Sequence, residues 1–138
     1  MLFLIASAGV VFLLDQATKH VIETRVAHRE VRLGAFVRLR HVAVARPRYA
    51  GSLSRSVMIL VWLGAFVAAA LLSEIGGPRY TFAAIIAMGA MLGGAAGNLF
   101  DVLQSRAVRD FIAVGWWPVF NVADVAIIGG CVMMLIQR

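Results

Sequence analysis

The chain has 138 residues, of which 62% are hydrophobic and 14% are charged, and its formal net charge at pH 7 is +6. Together with a mean hydropathy of +0.88, this composition excludes an ordinary soluble domain and a disordered chain, and it indicates an integral membrane protein. The length leaves room for a single domain.

In chain order, the sequence predicts four membrane-spanning helices and one extramembrane insert. The first apolar run lacks a basic start, so we interpret it as a retained span rather than a cleaved signal peptide. Apolar stretches close to the roughly 20 residues needed to cross a bilayer predict spans at residues 2–19, 56–73, 80–100 and 119–136. The predicted fold class is therefore an all-α membrane protein, a four-helix bundle.

The insert, residues 20–55, is basic and irregular, and alternating residues near 37–42 predict a short strand within it. A basic segment of this kind meets anionic lipid headgroups more often than nucleic acid. Residues 101–116 are predicted to be a short loop or a re-entrant segment. The sequence Trp116-Trp117-Pro118 predicts an interfacial belt and the start of the last helix.

Small residues are expected to bring two helices close together. Gly89, Gly93 and Gly97 recur every four residues, which leaves one face of the third helix bare for a neighbouring helix. Cys131 is the single cysteine, so the chain has no intramolecular disulfide and no metal-type cysteine spacing.

Acidic residues within apolar segments are the main indication of function. Asp124 is predicted to lie about one turn inside the fourth span, where a carboxylate costs roughly 2.5–3.5 kcal/mol on insertion scales. Asn121 precedes it by three residues, and Asn98 precedes Asp101 by the same spacing, so each pair shares a helix face. Asp110 lies between the two pairs. With four spans, all of these residues fall near one side of the membrane.

Asp15 and Lys19 are expected on the same side, as an ion pair at i and i+4 near the end of the first span. Asp101 is expected to cap or terminate the third span. Two of the aspartates in a low-dielectric site would share a proton, so that one can activate water while the other polarises a peptide carbonyl. A hard cation on the carboxylates or a proton relay in a transporter remains open from the residues alone.

Four motifs, in this order, resemble the lipoprotein signal peptidases, the type II aspartic peptidases of bacterial membranes. They are residues 15–19 (DQATK), 93–101 (GGAAGNLFD), 108–112 (VRDFI) and 118–124 (PVFNVAD). By this resemblance, Asp110 and Asp124 form the catalytic dyad. The resemblance also implies substrate-binding or supporting roles for a further set: Asn98, Asn121, Asp15, Asp101 and Lys19.

The resemblance implies that the protein removes signal peptides from prolipoproteins just before a diacylglyceryl-modified cysteine. No metal, cofactor or covalent nucleophile is expected, and the partners are the lipid-modified substrate and membrane lipids, with the protein a monomer. A relative that binds lipidated peptides or a membrane protein without cleaving them is the alternative. The resemblance places the site on the outer face of the bacterial cytoplasmic membrane, whereas the excess of Lys and Arg on that side favours the cytoplasm.

The sequence departs from the family pattern at two places. The family has an asparagine motif in the insert, and the corresponding stretch, about residues 41–50, contains no asparagine. The family also has an arginine directly after the third-helix aspartate, where this chain has Val102. Arg106 and Arg109 are both candidates to replace it. These departures predict a divergent paralogue with altered specificity or low activity.

Overall fold

The computed structural model describes residues 1–26, 31–33, 37–43, 55–75 and 81–136. Within these ranges the chain forms four helices and three short strands, which confirms a helical membrane bundle with a small β-containing insert. The helices are α1 (Leu2–Arg25), α2 (Arg55–Ile75), α3 (Phe82–Ser105) and α4 (Val122–Ile136), and the strands are β1 (Val31–Leu33), β2 (Val37–Ala43) and β3 (Arg109–Val114).

Helices α1, α2 and α3 are each long and apolar enough to cross a membrane. In α2 only 6% of the most apolar window is buried inside the protein, so its hydrophobic side chains need lipid around them. Helix α4 is described over 15 residues and is shorter than a full span of roughly 20 residues.

Helix α3 is the centre of the bundle and packs most extensively against α1 and α4. The predicted glycine face is confirmed, because a Cβ at Gly89, Gly93 or Gly97 would collide with α1. On its other side, a Cβ at Gly94 would lie 2.6 Å from the carbonyl oxygen of Ala123 in α4. Small residues thus bring three helices close enough for their polar side chains to meet.

The predicted loop at residues 101–116 is wrong over most of its length. Helix α3 continues past Asp101 to Ser105, and Arg106 ends it in the left-handed conformation with φ 60°. Asp101 therefore lies inside the helix, where it is fully buried. Helix α1 likewise continues past its expected end at residue 19, to Arg25.

The remainder of that segment is strand β3, which completes an antiparallel sheet in the order β1-β2-β3. Strand β2 confirms the strand predicted in the insert, and its register pairs Val37 with Val114 and Val42 with Asp110. Beneath the sheet, Phe111 packs with Ile22 and Val26 of the α1 end. The sheet therefore joins the insert to the connection between α3 and α4. Of the insert stretch 41–50, residues 44–50 lie outside the described residues.

The last helix begins later than predicted, at Val122 rather than near residue 119. Phe120 pairs with β3 instead, since its N–H donates to the Ile112 carbonyl at 3.1 Å and its own carbonyl accepts from the Ile112 N–H at 2.9 Å. Trp116 and Trp117 lie in the turn between β3 and Phe120, not at a helix start. Trp116 is 88% exposed.

Candidate functional site

Polar side chains from α1, α3, β3 and α4 meet at one end of the bundle. Four of them are at most 2% exposed, namely Asp15, Lys19, Asp101 and Asn121. Among the described residues, no buried side-chain nitrogen or oxygen lacks a hydrogen-bond partner. Such complete pairing is needed because an unsatisfied polar group in this environment costs several kcal/mol.

The first part of the site is an ion cluster made of Asp15, Lys19, Asp101 and Arg109. The Lys19 Nζ donates to Asp15 Oδ2 at 2.6 Å and lies 2.8 Å from Asp101 Oδ2. Its third donor reaches Asn98 Oδ1 at 3.2 Å, so all three ammonium protons have acceptors. The predicted ion pair of Asp15 with Lys19 is present, but it is buried inside α1 rather than placed at a helix end.

Arg109 supplies the second cation of the ion cluster. Its NH2 donates to Asp101 Oδ1 at 2.6 Å and to Gln16 Oε1 at 2.8 Å, and its backbone N–H donates to Asp101 Oδ2 at 3.1 Å. Burial opposes the charged form, but the hydrogen bond and charge of Asp101 outweigh it and raise the pKa of Arg109. Two carboxylates and two cations make the ion cluster electrically balanced.

The second part of the site is a carboxylate pair, Asp110 and Asp124, which two asparagines connect. Asn121 Nδ2 donates to Asp110 Oδ1 at 2.8 Å and to Asn98 Oδ1 at 3.0 Å. Asn98 Nδ2 in turn donates to Asp124 Oδ1 at 2.9 Å. Neutral amides therefore hold the two carboxylates, and no cation among the described residues forms an ion pair with either of them.

Asn121 and Asp124 also form the start of α4. The backbone N–H of Asp124 donates to Asn121 Oδ1 at 2.9 Å, and the backbone N–H of Asn121 donates to Asp124 Oδ2 at 3.2 Å. This reciprocal arrangement is a capping box. The expectation that Asp124 lies a turn inside a span is thus wrong: it lies in the first turn, where the helix dipole favours a negative charge.

Asp110 is the group whose environment is most suited to proton transfer. Burial and the neighbouring charge of Asp124 raise its pKa from 3.8 to about 6, against a smaller opposing effect of the Asn121 hydrogen bond. A carboxyl with a pKa of about 6 can gain or lose a proton near neutral pH, as general acid–base chemistry requires.

The structure brings all seven residues singled out in the sequence into one hydrogen-bonded network. The capping role expected for Asp101 is wrong, because its carboxylate pairs with Lys19 and Arg109 inside the bundle. Two further residues belong to the network. Gln16 stands beside Asp15 within a quoted motif, and its Nε2 donates to Gly97 O and to Asp101 Oδ1. Glu23, one turn past Lys19, accepts from Arg109 NH1 at 3.2 Å. Nothing in the sequence distinguished Glu23 from an ordinary exposed acid.

Within the described part of the chain, no group of three or more His, Cys, Asp or Glu residues is arranged to hold a metal ion. The carboxylates of the ion cluster already accept from Lys19 and Arg109, and those of the carboxylate pair accept from amides.

Fold and site together define a membrane-embedded helical bundle with a paired carboxylate at one end. The family model of signal peptidase (SPase) II matches residues 7–138, and the chain belongs to that family. This match covers all four motifs quoted from the sequence.

Curated relatives share a shorter segment with the chain. A lipoprotein signal peptidase of Mycobacterium avium is 45% identical over 58 residues, covering 37% of this chain and 31% of that protein. One from Syntrophomonas wolfei is 51% identical over 51 residues, covering 37% of this chain and 34% of that protein. The matched segment thus spans about a third of these relatives' length.

Solved structures agree with the fold over nearly the whole chain. One structure of a bacterial membrane enzyme has a TM-score of 0.77 at 25% identity and covers 96% of this chain and 90% of its own. A second has a TM-score of 0.76 at 24% identity, with 96% and 85% covered. The four-helix architecture is therefore one that experimental structures also contain.

Proposed function

We propose that this protein is a membrane aspartic endopeptidase that removes signal peptides from diacylglyceryl-modified prolipoproteins. The observation that carries the proposal is the carboxylate pair, in which Asp110 and Asp124 come from different elements and are linked only through neutral amides. Membership in the signal peptidase II family supports the reaction class, and the lipoprotein signal peptidase names of the matched relatives support the substrate class.

The proposed chemistry uses the two carboxylates as one unit. One carboxylate accepts a proton from water as the water oxygen attacks the scissile carbonyl carbon. The other, protonated, donates to the carbonyl oxygen, and a proton then passes to the departing amine as the carbon–nitrogen bond breaks. The raised pKa of Asp110, about 6, makes it able to hold or release the shared proton at neutral pH. Asn98 and Asn121 hold the pair in place.

An apolar cleft is consistent with the proposal that the substrate arrives from the lipid. It lies between α2, α3 and α4 and is lined by Ala65, Ala68, Leu72, Met88, Met91 and Cys131. Met91 precedes Asp101 by ten residues, which is about 15 Å along a helix, so the cleft lies farther along the bundle than the carboxylates, towards the other side of the membrane. We expect the apolar part of a signal peptide to occupy it.

The direct test is cleavage of a diacylglyceryl-modified prolipoprotein by the purified protein in detergent. We expect turnover by the unaltered protein and none by Asp110→Asn or Asp124→Asn, because an amide can serve neither as acid nor as base. Both variants keep hydrogen-bonding oxygens, so their thermal unfolding should still show a folded protein. Appreciable turnover by either variant would remove the assignment of the dyad.

The alternative is a relative that binds lipidated peptides without cleaving them. It predicts that the unaltered protein retains the substrate on a membrane-mimetic column but releases no signal peptide. Asp110→Asn would then bind as the unaltered protein does, with no difference in product. The proposal instead requires that the unaltered protein release the signal peptide and that Asp110→Asn release none.

We propose that the site faces the outside of the cytoplasmic membrane, where exported prolipoproteins are available. The test replaces Cys131 by Ala and introduces one cysteine, either at Ser52, in the part of the insert outside the described residues, or at Glu74, at the opposite end of the bundle. A membrane-impermeant thiol reagent should label intact cells at position 52 and not at position 74. The reverse pattern would place the site in the cytoplasm and contradict the proposed substrate route.

A further inference from the structure

Arg109 connects three elements of the site, β3, α3 and α1. Its guanidinium reaches Asp101 of α3 and both Gln16 and Glu23 of α1. Its backbone N–H also donates to Asp101 Oδ2, at 3.1 Å. The Asp101 carboxylate therefore binds both the main chain and the side chain of Arg109.

This attachment lies immediately before Asp110. The carbonyl oxygen of Arg109 accepts from Asn121 Nδ2 at 3.4 Å, and the same amide donates to Asp110 Oδ1 at 2.8 Å. Strand β3 begins at Arg109, so the fixed residue is the one that sets where the strand starts. A shift of β3 along α3 would carry the Asp110 carboxyl away from Asn121.

The neighbouring arginine is placed differently. Arg106 ends α3 in the left-handed conformation and is exposed, and its turn directs the chain back so that Arg109 meets Asp101. Val102, which stands where the signal peptidase pattern has an arginine, is buried in the apolar core. Of the two arginines that the sequence left as candidates, only Arg109 contacts the third-helix carboxylate among the contacts described.

We propose that Arg109 is a positioning residue for the reaction: by fixing the start of β3 to Asp101 and α1, it holds the Asp110 carboxyl against Asn121 and within reach of Asp124. Arg109 is thus the arginine that contacts Asp101 in this chain, whereas the family pattern has its arginine at the position of Val102. The inference rests on the proposed function, because Asp110 is the group being positioned.

The experiment compares Arg109→Ala and Arg109→Lys with the unaltered protein, using the diacylglyceryl-modified prolipoprotein as substrate. We expect kcat to fall roughly 10- to 100-fold, as for a reacting group displaced by about an ångström, with little change in KM. Lysine keeps the charge but cannot reproduce the fork of the guanidinium, so Arg109→Lys should stay folded and still lose kcat.

Arg106→Asn is the matched control, since it removes the same charge three residues away and asparagine tolerates the left-handed conformation. It should cleave at the rate of the unaltered protein. Wild-type kcat per folded molecule in both Arg109→Ala and Arg109→Lys would overturn the inference.

A second readout separates this inference from the proposed function. The carboxyl of Asp110 can be titrated by infrared difference spectroscopy, with Asp110→Asn as the subtracted reference, whether or not the protein cleaves anything. In Arg109→Lys, which keeps the charge, Asp110 should move into water and its titration midpoint should fall. An unchanged midpoint would overturn the positioning role, whereas an absence of cleavage by the unaltered protein would overturn the proposed function alone.

Discussion

The ion cluster and the carboxylate pair lie side by side, yet their charges are arranged in opposite ways. In the ion cluster, Asp15 and Asp101 are balanced by Lys19 and Arg109, at distances down to 2.6 Å. In the carboxylate pair, Asp110 accepts from the side-chain amide of Asn121, and Asp124 accepts from the side-chain amide of Asn98 and the backbone N–H of Asn121. Among the described residues, aspartates thus form ion pairs in one region and hydrogen bonds to neutral amides in the other.

The difference separates a structural task from a chemical one. The paired carboxylates connect α1, α3 and β3, because Lys19 bridges Asp15 and Asp101 and Arg109 also binds Asp101. Burial and the charge of Asp124 raise the pKa of Asp110 to about 6, so this carboxyl keeps an affinity for a proton near neutral pH. On the proposed function, the ion cluster therefore supports the carboxylate pair.

The largest effect should come from unbalancing the ion cluster. Lys19→Met leaves Asp15 and Asp101 with a single cation, and removing one partner from a buried pair costs about 3–5 kcal/mol. The free energy of unfolding, measured by denaturant titration in detergent micelles, should fall by that amount.

The matched control for this change restores the balance of charge. Adding Asp15→Asn to Lys19→Met removes one uncompensated carboxylate and should recover part of the lost stability. If the double variant were less stable than Lys19→Met, charge balance would not be what the cluster contributes.

A smaller effect should come from the close contact of the helices that carry the cluster. Gly97→Ala places a methyl group against the Asp15 carboxylate, which should destabilise the protein by about 1–3 kcal/mol. Gly9→Ala, on α1, meets nothing within 4 Å and should be neutral or stabilising, because alanine favours a helix over glycine. Equal thermal stability of the two variants would mean that α1 and α3 can separate at no cost.

The helices and the identity of the site residues could be predicted from the sequence, because both depend on local patterns. Apolar length sets the spans, and the spacing from Asn98 to Asp101 or from Asn121 to Asp124 is visible in the chain. The glycine face of α3 was predictable for the same reason. These features need no knowledge of which distant segments meet.

The sheet contacts and the cations that pair with Asp101 could not be predicted from local patterns, because they depend on distant residues. Strand β3 exists through its pairing with β2, and Phe120 is drawn out of α4 by its pairing with Ile112. Arg109 reaches Gln16 across 93 positions of sequence. Apart from the family resemblance, the sequence gives no sign that Asp101 would be paired with two cations and Asp110 with an amide.

The smallest effect, with a sign that differs from the first two, concerns Asp110 and the pH. Folding raises its pKa from 3.8 to about 6, so the folded protein binds the proton more tightly than the unfolded chain does. The resulting stability is complete below about pH 4 and is lost as the pH rises through 6. Asp110→Asn cannot lose a proton at this position, so its melting temperature relative to that of the unaltered protein should rise between pH 4 and 6.

In Asp124→Asn the pH range over which stability is lost should move to lower pH, because the neighbouring charge that helps to raise the pKa of Asp110 is gone. A difference between Asp110→Asn and the unaltered protein that stays flat across this range would mean that Asp110 is solvated like an ordinary surface carboxylate, and the contrast between the two regions would disappear.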